Sequence, residues 1–202
     1  MINNSHKTAI SRKTWSVPGR WLYENFFKDN IALDSMLDFG AGRSIDSEYW
    51  SKAMKFNGAD AQAYDKHEQS GFPGRGNRPD GQKFELVTVI FVLNVVETDQ
   101  DRIKILNDAM QYVKPDGYIF IATRSKKEIE RARVRSEKKG NKWKELQSGV
   151  YVSDPRKKTI QCGVDDQDIQ SLIDSSDYRH FTLIELNKHP GPEIGCALFQ
   201  NI

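Results

Sequence analysis

Short apolar runs punctuate this chain, and between them apolar side chains recur every three or four positions. The runs at 35–39, 61–64, 84–93, 118–123, 181–186 and 195–199 read as strands. The run at 84–93 (Phe-Glu-Leu-Val-Thr-Val-Ile-Phe-Val-Leu) is β-branched and nearly unbroken, as expected of a parallel strand buried on both faces. Helical spacing appears at 45–56 (Ile45, Tyr49, Trp50, Met54), at 99–113 (Ile103, Leu106, Met110, Val113) and at 165–175. Asn57-Gly58 stops the first helix, and Lys114-Pro115-Asp116-Gly117 stops the second. Trp21, Leu22, Phe26 and Phe27 form one apolar face over residues 19–29. Residues 149–164 read as a hairpin turning at Asp154-Pro155-Arg156-Lys157. Strands alternating with helices predict an α/β, Rossmann-like, doubly wound and mostly parallel sheet.

The first strand ends in Met36-Leu37-Asp38-Phe39-Gly40-Ala41-Gly42-Arg43, and a helical pattern follows at once. A buried strand, a tight glycine turn and a helix start make a nucleotide-binding arrangement, because glycine lets the backbone turn sharply and approach a ligand. An ordinary turn with glycines is the competing reading. Asp65 ends the second strand, 27 positions after Asp38. A carboxylate there accepts from ribose hydroxyls in dinucleotide-binding folds, although it also suits a loop opening or a helix cap. Open α/β sheets bind ligands beyond the C-terminal strand ends. Asp38, Gly40, Gly42, Asp65 and the 91–94 segment therefore converge on one crevice.

Leu37-Asp38-Phe39-Gly40-Ala41-Gly42, Tyr64-Asp65, Phe91-Val92-Leu93-Asn94-Val95-Val96-Glu97 and Val113-Lys114-Pro115-Asp116-Gly117-Tyr118, in that order, resemble the class I S-adenosylmethionine-dependent methyltransferases over residues 19–123. His6-Lys7-Thr8-Ala9-Ile10-Ser11-Arg12, Ser16-Val17-Pro18 and Val92-Leu93-Asn94-Val95-Val96-Glu97 are more narrowly similar to methyltransferases associated with DNA phosphorothioation. The resemblance implies S-adenosyl-L-methionine as cofactor, contacted by Asp38, Gly40, Ala41, Gly42, Asp65, Lys66, Phe91, Asn94 and Val95. It places the departing methyl near Asn94 and Val95. Ser44 stands where many members carry a third glycine. The family's third strand, at a sheet edge, falls in residues 66–83, which hold four glycines and two prolines. That stretch is too short for a helix, a strand and a further helix, given helices of about 11 residues and strands of about 5. A shortened or missing third strand is expected, with an antiparallel C-terminal strand.

Composition sets the remaining bounds. The 202 residues suit one domain (19–202) behind a polar arm (1–18), with a basic helix and a hairpin inserted at about 124–164. There is no long apolar run and no charged-then-apolar leader, so a cytoplasmic protein without a membrane span is expected. Cys162 and Cys196 form no metal-spaced cluster, and no metal is expected. The net charge is +2, but residues 124–144 hold ten Lys or Arg against three Glu. Such a block suits a polyanion such as nucleic acid, or is simply a solvated helix with Glu128, Glu130 and Glu137 as partners.

Arg124 ends the strand at 118–123 and faces the substrate side. Arg12 and Trp15, in the arm, suit phosphate contact and base stacking, while Trp15 equally suits a hydrophobic plug. Arg131, Arg133 and Arg135 are the further candidate substrate contacts. His67 lies nearest the crevice among the four histidines. After the 84–93 strand the chain reads Asn94-Val95-Val96-Glu97, without the Asp/Asn-Pro-Pro-Tyr/Phe signature of amino-methylating DNA enzymes, and it has no Pro-Cys nucleophile. The expected function is methyl transfer to a nucleic acid or another anionic substrate. A small-molecule methyltransferase is one alternative. A nucleic-acid-associated cofactor-binding protein without turnover is another. No catalytic residue is assigned, because the reaction needs mainly alignment.

Overall fold

Ser35–Phe39 (β1) is buried at every position, as befits a central strand covered on both faces. It pairs in parallel with Asp60–Tyr64 (β2) on one side and with Phe84–Ile90 (β3) on the other. Val113–Arg124 (β4) runs parallel to β3, and Ile194–Asn201 (β9) lies antiparallel to β4. Phe181–Ile184 (β8) closes the far edge antiparallel to β9. The order is β2-β1-β3-β4-β9-β8, so β9 alone runs against the others. The computed structural model describes residues 9, 11–29, 31–54, 60–72, 75–184 and 189–202. The expected stop at Asn57-Gly58, and most of the 6–12 motif, lie outside them.

Among the described residues, no strand continues the sheet beyond β2. The described residues of 66–83 hold an isolated bridge, Gln69 to Phe72, and no strand. The expected loss of the third strand matches this architecture.

Helices cover both faces. Val17–Leu22 (α1), which widens into a π-helical turn at Tyr23–Phe27, and Asp46–Ala53 (α2) pack on one side with Trp50, Phe27 and Leu22. Asp99–Met110 (α3) and Asp166–Asp174 (α5) pack on the other with Leu106, Met110, Ile169 and Ile173. Ser16 caps α1 by accepting from the Gly19 N–H at 3.1 Å. The buried Asp46 carboxylate in turn accepts from the Ser16 N–H at 2.8 Å and from its hydroxyl, tying the arm to α2. No helix among the described residues is long and apolar enough to cross a membrane.

Several boundaries differ from expectation. The helix expected to reach 113 ends at Met110, and Val113 already pairs with Phe84 in β4. Pro115-Asp116-Gly117 sits in a register shift of that ladder, so the turn signal marks a bulge. The strand expected to reach 93 ends at Ile90, because Phe91 takes φ 60° and Leu93–Val95 forms a 3₁₀ turn. The basic helix is Lys126–Glu137 (α4). The hairpin gains a strand: Lys144–Gln147 (β5), Val150–Asp154 (β6) and Thr159–Cys162 (β7) form a separate antiparallel sheet. β5 was hidden because three of its four positions are exposed, which removes any alternating pattern.

Of the two roles open to Trp15, its packing is that of a plug. Its ring stacks on Tyr49 at 5.6 Å and meets Tyr23 and Trp50 at 5.3 and 5.6 Å. It therefore anchors the arm to an aromatic layer centred on the fully buried Trp50. Trp50→Ala should cost about 3–5 kcal/mol of folding free energy, read from urea unfolding of parent and variant. A loss below about 1 kcal/mol would mean that the layer collapses onto the gap.

Candidate functional site

The C-terminal ends of β1, β2, β3 and β4 open into a cavity of about 610 Å³. Asp38, Gly40, Ala41, Gly42, Asp65, Lys66, Phe91, Asn94 and Val95 all line it, as do Arg12 and Arg124. Trp15, Arg131, Arg133 and Arg135 do not.

The turn after β1 takes its shape from two left-handed residues, Gly40 (φ 73°) and Gly42 (φ 53°). A Cβ on Gly40 would lie 2.5 Å from Val92 Cγ2, so a branched side chain there strains both backbone and packing. Asp65 clamps the turn: its Oδ2 accepts from the Gly42 N–H at 2.9 Å and its Oδ1 from the His67 N–H at 2.8 Å. Acceptor capacity remains on both oxygens. His67 lies on the cavity wall beside it. The arm crosses this turn. Arg12 N–H reaches the Arg43 carbonyl at 3.5 Å, and the Arg12 guanidinium lies 5.4 Å from the Phe91 ring centroid.

Asp38 is almost fully buried at the floor of the cavity. Thr88 donates to its Oδ1 at 3.3 Å, while Oδ2 is buried with no hydrogen-bond partner. Burial first, and then the Asp46 carboxylate, push the Asp38 carboxyl up to about 7, with Arg75 opposing.

Asn94, which lines the cavity, also has a structural part. Its side-chain amide donates to the Arg124 carbonyl at 2.9 Å and to the Cys162 carbonyl at 2.8 Å, and it accepts from the Arg124 N–H at 2.8 Å. An amide has two donors, and both are taken. The Asn94 side chain therefore joins the ends of β4 and β7 and has no N–H left for a cofactor. The adjoining turn is held from below by the buried Arg102, which donates to the Leu93 and Val96 carbonyls at 3.2 and 2.7 Å.

The substrate side carries groups that the sequence reading missed. Glu128, Gln161 and Glu193 line the cavity with Arg124. Glu128 accepts from Arg124 at 2.9 Å and Arg135 at 2.8 Å, and Glu193 pairs with Arg131 at 2.7 Å. Arg133 pairs with Glu130 and Glu137 on its own helix. The spacing of Arg124 and Glu128, one helical turn apart, was the available signal. Elsewhere, Asp166, His189 and Cys196 hold possible metal-ligand atoms within 4.8 Å of one another. Ordinary hydrogen bonding accounts for them: His189 Nδ1 accepts from the Gly191 N–H, its Nε2 faces Asp166 at 3.5 Å, and Asp166 accepts from the Cys196 N–H.

No protein-family model and no curated protein matches the chain. Solved structures do. A 1,6-didemethyltoxoflavin N1-methyltransferase from Burkholderia thailandensis, with bound 1,6-didemethyltoxoflavin and S-adenosylhomocysteine, superposes with a TM-score of 0.59 at 14% identity, over 99% of this chain and 79% of that one. An S-adenosylmethionine-dependent methyltransferase from Clostridium acetobutylicum matches with a TM-score of 0.59 at 14% identity, over 96% and 93%. The N-methyltransferase NodS from Bradyrhizobium japonicum, in complex with S-adenosylhomocysteine, gives 0.53 at 11% identity, over 98% of both chains. The fold is that of the class I S-adenosylmethionine-dependent methyltransferases. Relative to the strand order that the family resemblance implies, the described residues form no third strand and keep the reversed strand β9.

The raised Asp38 carboxyl has a measurable consequence. The folded state binds this proton more tightly than the unfolded chain does, so the group favours folding at low pH. That contribution is lost as pH rises from the ordinary carboxylate range, about 4, to about 7. Relative to Asp38→Asn, the parent should lose denaturant stability across that window and run parallel to the variant above it. A constant difference across the whole range would contradict the burial argument.

Proposed function

We propose that this chain is an S-adenosylmethionine-dependent methyltransferase whose cofactor lies across the C-terminal ends of β1, β2 and β3. One observation carries the reading: an unsatisfied buried carboxylate oxygen on Asp38, a left-handed glycine turn and the Asp65 carboxylate share one cavity in this fold. The residues fit that cofactor. Asp38 offers an acceptor for the methionine ammonium, the glycine turn admits the methionine backbone, and Asp65 keeps acceptor capacity for ribose hydroxyls. Lys66, Phe91 and Val95 complete the wall.

S-adenosylmethionine supplies a methyl already activated by the sulfonium charge. The chain's own work is alignment and shielding. Arg12 and Phe91 roof the cavity, and the Asn94 amide fixes the height of the 3₁₀ turn against β4 and β7. Asp65→Ala removes both the hydroxyl acceptor and the clamp on Gly42, so affinity for S-adenosylhomocysteine should fall tenfold or more, from hydrogen bonds to a charged group worth about 1.5–3 kcal/mol each. Gly40→Val should lose more. Calorimetry that returns parental affinity in both variants would reject the site.

The substrate reading we favour is a small polar molecule. The cavity mouth mixes Arg12 and Arg124 with Glu128, Gln161 and Glu193, which suits a ligand with both donors and acceptors. Arg131, Arg133 and Arg135, the candidate substrate contacts of the basic helix, each have a carboxylate partner. A nucleic-acid substrate draws support from Lys127, Lys138, Lys139, Lys142 and Lys144, which are exposed cations, from the half-buried Trp143 between the last two in sequence, and from the narrower family resemblance. The two readings separate by salt. On duplex DNA each phosphate contact contributes about −0.9 to the slope of log K against log salt, so changing Lys138, Lys139, Lys142 and Lys144 to Gln should flatten it by roughly 3–4 units if all four bind phosphate. An unchanged slope, or no salt-dependent binding in the parent, leaves the small-molecule reading standing.

A further inference from the structure

The 66–83 segment replaces a strand, yet it does more than close a gap. We propose that Arg75 is a positioning residue for cofactor binding: it reaches back from this shortened loop, fixes the glycine turn through two carbonyl oxygens, and sets a permanent cation behind Asp38 and Asp65. The inference rests on the cofactor reading above.

The geometry is specific to arginine. Arg75 Nε donates to the Gly42 carbonyl at 3.2 Å, and its Nη2 donates to the Ser44 carbonyl at 2.5 Å. A planar fork spans two carbonyls two residues apart, and an ammonium does not. The loop is built to deliver it. The Gly76 N–H donates to the Asp65 carbonyl at 2.8 Å, which holds the chain beside the end of β2. The Arg75 guanidinium lies 5.7 Å from the Phe72 ring centroid, and Phe72 closes the bridge to Gln69. Gln69 in turn accepts from Arg43, the next residue of the glycine turn, at 3.1 Å. Further on, Arg78 pins the loop to the end of α3 through the Tyr112 hydroxyl at 2.6 Å and through Asp108.

The charge matters as much as the hydrogen bonds. Asp38 faces Asp46 from α2, Ser44 from the turn, Thr88 from β3 and Arg75 from the loop. Arg75 is the one cation in that set, and Asp65 and Glu48 also attract it. A cationic ligand needs Asp38 as a carboxylate. Arg75 favours that form against burial and against Asp46.

Arg75→Met, Arg75→Lys and Arg78→Met test this with two measurements. The first needs no cofactor: a carboxyl-carbon NMR titration of Asp38, assigned by Asp38→Asn. Arg75→Met should raise the Asp38 midpoint, while Arg75→Lys and Arg78→Met should leave it near that of the parent. The second is calorimetry with S-adenosylhomocysteine near neutral pH. Affinity should fall about tenfold or more in Arg75→Met, as expected for lost hydrogen bonds to a charged group. It should fall in Arg75→Lys as well, with the midpoint unmoved, because the fork is lost and the charge kept. A purely structural role would weaken binding without shifting the titration.

An unmoved midpoint in Arg75→Met overturns the charge role, and parental affinity in Arg75→Lys overturns the two-carbonyl hold. Should Arg75→Met fail to fold, Arg75→Gln replaces it as the neutral variant, with the same raised Asp38 midpoint expected and an unmoved one overturning the charge role. Should the parent not bind S-adenosylhomocysteine at any pH, the cofactor reading falls, and the titration still judges Arg75.

Discussion

Five backbone polar groups of the four residues after Gly40 are bonded to partners elsewhere in the chain, and the cavity depends on that. The Ala41 N–H donates to the Tyr64 carbonyl, and the Gly42 N–H donates to the Asp65 carboxylate. The Ala41 carbonyl accepts from Ser44, the Arg43 carbonyl from Arg12, and the Gly42 and Ser44 carbonyls from Arg75. Each backbone polar group left unbonded in such a half-buried turn would cost about 1–3 kcal/mol. Left-handed glycines give the turn its shape, but glycine alone is flexible. Partners drawn from the arm, from β2 and from the 66–83 loop make that shape a fixed one.

A second turn faces the first and is held differently. After β3 the chain leaves the sheet through Phe91 at φ 60°, a strained value for an aromatic residue. The Phe91 N–H still reaches the Ala122 carbonyl at 2.7 Å. Arg102 then takes up the Leu93 and Val96 carbonyls of the 3₁₀ turn from inside the protein, while the Asn94 side chain bonds the Arg124 and Cys162 carbonyls at the ends of β4 and β7. Arg102 is 6% exposed and also donates to the buried Cys162 thiol at 2.7 Å. A buried guanidinium is tolerable only when its donors are satisfied. Here those donors serve the wall of the site, which joins β3, β4 and β7 into one rigid unit.

The difference between these two turns explains what could be read in the sequence. The placement of Asp38, the glycines and Asp65 on one cavity was legible because it follows from position at strand ends, and strands announce themselves by apolar runs. The missing edge strand was legible by length alone. Asn94 was not, because its partners lie 30 and 68 residues away and its type is equally at home in a ligand site. Arg75 was hidden by lying in a stretch without periodicity, where composition says only that there is a loop. Trp15 was ambiguous because stacking on a base and stacking on Tyr49 need the same ring.

The basic segment shows that its single cations are placed differently. Its net charge over 124–144 invites a polyanion, yet its arginines form a chain of ion pairs, with Arg124 and Arg135 on Glu128 and Arg131 on Glu193. Exposed ion pairs contribute little stability, about 0–1 kcal/mol each, so their effect is mainly geometric. Glu128 is different, with a side chain only 12% exposed between two guanidiniums. It keeps α4 registered against the end of β4, where Arg124 lines the cavity. The arginines therefore belong to the construction of the cavity mouth. The exposed lysines that follow are the part of the segment still open to a partner. A helix that carries ten cations over its length and flanks can thus serve an enclosed site on one face and leave its charge to solvent on the other.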